Sequence, residues 1–133
     1  MEQAVGKALK EDNIIVDVLH ANHHGAANGS AADFLTDIKP NIVVISAGND
    51  NSFAHPRNSV LKRLHDADVY RTILTSFGTS ALRLQEDVRD RVAVFQNDIV
   101  ITSNGDNYYV TTSRGFHSDS NCVAEPSRCS RGL

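Results

Sequence analysis

Two short apolar runs with helical spacing between them constrain this chain most. Residues 14–19 read Ile-Ile-Val-Asp-Val-Leu, and residues 41–46 read Asn-Ile-Val-Val-Ile-Ser. Near-continuous β-branched runs of this length suit strands covered on both faces, as in a parallel sheet. Between them, a loop at 20–30 rich in Gly, Asn and Ala leads to a helix. Ser30 or Asp33 can cap that helix, and it runs to about Ile38 before Pro40 stops it. After the second run comes a polar loop at 47–55. Pro56 then starts another helix, because its missing N–H costs nothing in a first turn. Val60, Leu61 and Leu64 give this helix an apolar stripe. Residues 68–72 read as a third strand, and residues 2–11 as a leading helix with Asn13 as its stop signal. The order strand, helix, strand, helix, strand predicts an α/β layer of parallel strands.

Further along, residues 81–89 fit helix or strand equally well. Residues 98–103 and 107–112 flank Asn104, Gly105 and Asp106, which predicts a β-hairpin. From Ser113 onward the composition turns to Ser, Arg, Asp and Gly, which reads as a disordered tail. Cys122 and Cys129 fall there, either as a disulfide in an oxidising compartment or as two free thiols. A chain of 133 residues fits one domain. Its net charge of −3, with no basic block, argues against a broad nucleic-acid face. No apolar stretch approaches the ~20 residues of a membrane span, and residues 1–10 lack the apolar core of a secretory signal.

In a parallel sheet the loops that leave the carboxyl ends of strands carry the chemistry. The loops at 20–30 and 47–55 would share that edge and bring His23, His24 and His55 together. Imidazole is the commonest metal ligand among side chains and the usual acid or base near neutral pH. Gly25 lets the backbone turn sharply and aim the rings. The other histidines read differently. His20 is a solvated loop residue, His65 sits on a helix surface beside Asp66, and His117 lies in the tail.

The segment Asp17-Val-Leu-His-Ala-Asn-His-His-Gly25 resembles a motif of metallo-β-lactamase-fold hydrolases of the ComEC type, the soluble hydrolase domain of the competence DNA-uptake protein and its stand-alone relatives. The resemblance continues in register. It takes in Phe34-Leu35, Lys39-Pro40, Ile45-Ser-Ala-Gly-Asn-Asp-Asn-Ser-Phe-Ala-His-Pro56, Val60-Leu61 with Arg63-Leu64, Val69-Tyr-Arg-Thr72 and the hairpin from Asn97 to Gly105. It covers most of residues 1–112, apart from an insertion near 74–96. Ala26 stands where the family has Ser, and Ala54 where it has Gly. The family's H-x-H-x-D-H motif occurs nowhere in the 133 residues, and its bridging Gly-Asp would fall just before Met1.

The resemblance therefore implies the C-terminal half of a metallo-β-lactamase αββα sandwich. It implies a metal-dependent hydrolase, with zinc or manganese in the complete enzyme generating hydroxide and acting on a phosphodiester or related ester. One of His23 and His24 would ligate a metal while the other orients it or contacts substrate. His55 would act on the developing oxyanion, and Asn49 and Asn51 would bind a substrate oxygen. Asp17 and Asp50 would play supporting roles. Relatives of this kind are often extracytoplasmic. A catalytic zinc needs about three protein ligands plus water, so the chain alone would hold metal weakly, if at all, and be inactive. A half fold would also leave the strands at 14–19 and 42–46 facing water, which implies a homodimer or a complementing N-terminal chain. The competing expectation is a truncated or degenerate α/β module that binds a protein partner without catalysis. Nucleic acid enters only as a substrate.

Overall fold

The computed structural model describes residues 1–48, 51–76, 86–95 and 98–112. The tail from 113, both cysteines, His117, Asn49, Asp50 and residues 77–85 and 96 of the expected insertion lie outside the described residues. The chain is mixed α/β. Helix α1 (Glu2–Glu11) leads into β1 (Val18–His20), α2 (Ala32–Ile38), β2 (Ile42–Ile45), α3 (Asn58–Asp66) and β3 (Arg71–Leu74). A single turn, α4 (Glu86–Arg89), then precedes β4 (Val92–Val94), and a hairpin of β5 (Ile99–Ser103) and β6 (Tyr108–Thr112) follows. Strands β1, β2, β3 and β4 form one sheet in that order, with every pairing parallel. β5 and β6 form a separate antiparallel pair. No helix among the described residues is long and apolar enough to cross a membrane.

Side chains alternate between two cores, as the pleat requires. Val43 and Ile45 of β2 join Leu35, Val60, Leu61, Leu64 and Leu74 beneath the helices. Ile42 and Val44 join Ile73, Phe95, Tyr108 and Val110 on the opposite face. All four β2 residues are buried, as the unbroken run 42–45 demands. The sheet is not left bare, because the chain's own hairpin covers the face opposite the helices. Asn41 Nδ2 also donates to Tyr108 Oη at 2.7 Å, tying β6 to the sheet. The bare face that implied a homodimer or a complementing chain is thus absent at β2. Exposed apolar side chains remain on the hairpin, at Val100, Ile101 and Tyr109.

Several expected boundaries shift for local reasons. Asn13 does stop α1, in a left-handed conformation with φ 55°. Its N–H donates to Lys10 and that of Ile14 to Leu9, the paired bonds of a Schellman closure. Ile14 and Ile15 thereby serve the helix end and stay exposed, so β1 starts only at Val18. The same device ends α3. Asp68 has φ 60°, its N–H donates to His65 and that of Val69 to Leu64. Asp68 is therefore a cap rather than a strand residue, and β3 runs over 71–74 instead of 68–72. Helix α3 begins at Asn58, not at Pro56, which follows a cis peptide bond. Neither Ser30 nor Asp33 caps α2. The Glu2 carboxylate instead holds the two residues just before the helix, accepting the N–H groups of Ser30 and Ala31 at 2.9 and 3.0 Å. A negative charge there complements the free amides at a helix start.

Candidate functional site

The loops after β1 and β2 both leave the carboxyl edge of the sheet, as parallel pairing dictates. Ala21 N–H donates to Val44 O at 2.8 Å, so the first loop departs directly from the sheet. It then turns through three successive residues with positive φ: His23 at 51°, His24 at 54° and Gly25 at 75°. Two non-glycine residues in this region carry backbone strain. The strain is held by packing. A Cβ built on Gly25 would lie 2.7 Å from Pro56 Cβ and 3.3 Å from Ile45 Cγ2, and the Arg57 N–H donates to Gly25 O at 3.0 Å. The two loops are thereby locked together. From α3, Arg63 Nη1 donates to the carbonyls of Gly29 and Ser30, and its Nη2 to that of Ala27. Glu2 fixes the far end of the loop from α1.

The second loop is clasped by Asn51. Its Nδ2 donates to Gly48 O at 2.7 Å and to His55 O at 2.8 Å, and its Oδ1 accepts the His55 N–H at 2.6 Å. Asn51 was expected to bind a substrate oxygen, but its side-chain amide is used within the loop instead. Ala54 has φ 57°, the conformation that explains a Gly at this place in the resemblance. Thr75 Oγ1, just past β3, accepts the Ala47 N–H and donates to Ala47 O, both at 2.9 Å.

These constraints bring the imidazoles together. The rings of His23 and His55 are 5.7 Å apart, edge to face at 71°. Phe53 stacks on the other ring, His55, at 5.8 Å and 27°. His24 Nδ1 lies 2.7 Å from Ser46 O. A carbonyl only accepts, so Nδ1 carries a proton, and in the neutral ring Nε2 keeps its lone pair. His23 Nδ1 lies 3.3 Å from Asn28 Oδ1. His23 and His24 are exposed and His55 half-buried. Partial burial, then the neighbouring His23, Arg57 and His24, push the His55 pKa below its ordinary value. His55 is therefore neutral at pH 7 and able to take a proton.

Other candidates are placed elsewhere. Asp17 sits on the bend before β1, at the opposite edge from the histidines, where its carbonyl accepts the N–H groups of Asn41 and Ile42. It cannot support the imidazoles. His20 ends β1 exposed, and His65 lies on α3 with its Nδ1 3.7 Å from Asp66 Oδ1. Among the described residues no three His, Cys, Asp or Glu side chains gather so as to hold a metal ion. The donors described therefore do not make a complete metal site. Asn28 and Thr75 act here without any mark in the sequence, while Ser46 and Arg63 fall inside the resembling motifs but work through backbone carbonyls, which those motifs do not reveal.

The class these features define is a mixed α/β domain with an imidazole cluster at the carboxyl edge of a parallel sheet. Over 62 residues the chain is 39% identical to ComE operon protein 3 of Bacillus subtilis, a match covering 45% of this chain and 8% of that protein. Over 50 residues it is 36% identical to Recombination protein 2 of Haemophilus influenzae, covering 38% of this chain and 6% of that protein. The matches thus span less than a tenth of these curated relatives. No family model matches the chain, and no solved structure does so.

Proposed function

We propose that this chain is the C-terminal part of a metal-dependent hydrolase of the metallo-β-lactamase superfamily, of the ComEC type. It would act on a phosphodiester or related ester, and only together with a segment carrying H-x-H-x-D-H. The observation that carries the reading is the His24–Ser46 bond. A ring whose Nδ1–H is fixed by a carbonyl presents Nε2 as a ligand of set direction, the usual arrangement for a metal-bound imidazole. His24 is thus the metal ligand of the pair. His23 and His55, set edge to face, meet the substrate. Neutral His55 accepts a hydrogen bond or proton from the reacting group, and in its charged form stabilises an oxyanion. The partial similarity to ComE operon protein 3 and Recombination protein 2 supports the competence-related part of this reading.

The absence of a gathered ligand set among the described residues favours a second reading, a non-catalytic module that binds a protein partner. One experiment separates them. The chain is combined with a segment bearing H-x-H-x-D-H and the Gly-Asp from a relative, and turnover of an aryl phosphodiester is followed with zinc or manganese present. The chain alone is expected to be inactive. The combination is expected to turn over, and His24→Ala to remove both turnover and the metal uptake gained on mixing. A combination that folds and takes up metal equally with and without His24 would sink the hydrolase reading.

A further inference from the structure

Phe53 is 68% exposed, although it is a large apolar side chain within ring-stacking distance of His55. Scattered exposed apolar residues are ordinary on protein surfaces. Phe53 differs in being held. The Asn51–His55 clasp closes the backbone on both sides of it, and one side of its ring lies along His55. Its exposure leaves the other side open to a ligand. The His23 and His55 rings lie 5.7 Å apart beside that face. A flat apolar face therefore adjoins two imidazoles whose ring N–H groups can donate to a phosphate oxygen. The resemblance assigns no role to residue 53.

We propose that Phe53 is a positioning residue that stacks the base of a nucleotide unit while its phosphate meets His23 and His55. Bases of any sequence can stack on such a face, because each has a π-surface. The platform would fix where along a strand the phosphate is presented without selecting a base. This inference rests on the reading of the histidine edge as the substrate face.

The full chain is titrated with inorganic phosphate, ribose 5-phosphate and adenosine 5′-phosphate, with histidine-ring resonances followed by NMR. All three are expected to shift His23 and His55. The adenosine compound is expected to bind at least about fivefold more tightly than ribose 5-phosphate, the ratio a stacked base provides. Phe53→Ala should bring that ratio to about one, and Phe53→Trp should keep or raise it. Equal binding of the two sugar phosphates, or a preference that survives Phe53→Ala, overturns the stacking role alone. Imidazoles unmoved by phosphate and ribose 5-phosphate, with adenosine binding still dependent on Phe53, would overturn the substrate-face reading and leave the stack standing. No binding by any of the three overturns both.

Discussion

At the amino-terminal edge of the parallel sheet, Arg91 Nη1 meets Asp68 Oδ1 at 2.8 Å and Arg71 Nη1 donates to Asp90 O at 2.7 Å. Lys62 pairs with Asp66 close by on α3. Depressions of about 470 and 410 Å³ lie there, lined by Asn41, Asp66, Asp68, Arg71 and Arg91 among others. At the carboxyl-terminal edge the described residues include the imidazoles of His23, His24 and His55, on loops locked by backbone and amide bonds. Opposite charges pair at one edge, whereas imidazole rings gather at the other. The first edge is held by charge-assisted contacts and the second by backbone and amide bonds.

Three substitutions or conditions sharpen that contrast. The largest effect is expected from Gly25→Ala. The new Cβ would collide with Pro56 in a backbone conformation already unfavourable for alanine, so a loss of about 2–4 kcal/mol is expected in urea or thermal unfolding. A loss below about 0.5 kcal/mol would mean the two loops are not locked at this point.

A smaller effect follows from pH. The His55 pKa in the folded chain lies below its ordinary value of 6.5. The unfolded chain then binds the proton more readily, so this residue's contribution is complete above about pH 6.5 and fades as pH falls through the folded value. Stability should decline in that window, and His23→Ala should move the His55 titration upward, towards 6.5, as read from its ring resonances. An unmoved titration would show that burial, Arg57 and His24 lower the pKa without His23.

The smallest effect is expected at the amino edge. Asp68→Asn keeps a residue tolerant of positive φ and removes only the partner of Arg91. Asp68 is largely exposed, so solvent screening limits the loss to about 0–1 kcal/mol, checked by the same unfolding measurement at low and high salt. A loss as large as that of Gly25→Ala would erase the distinction between the edges.

Much of this arrangement was legible in the chain. The run 42–45 announced a strand buried on both sides, and Asn104-Gly105 announced the hairpin. The strand–loop order placed His23, His24 and His55 on one edge, and the rings of His23 and His55 do meet there. The departures have local causes. Asn13 and Asp68 take left-handed cap positions, which moves β1 and β3 by several residues. β4 escaped notice because Val92, Ala93 and Val94 are too short a run to signal a strand, and only pairing with β3 makes them one. The hairpin's packing on Ile42, Val44 and Ile73 joins residues distant in sequence, so no local pattern could reveal it. The tautomer of His24 depends on a carbonyl 22 residues away, a contact no spacing rule encodes.

Arg63 reaches the histidine-bearing loop from one flank and Glu2 from the other, both by hydrogen bonds to main-chain atoms. A segment stapled in this way has little freedom to follow an incoming molecule. Whatever docks at this rim must adapt its own shape to the rings, and the ordering penalty of association falls on the visitor rather than on the receptor.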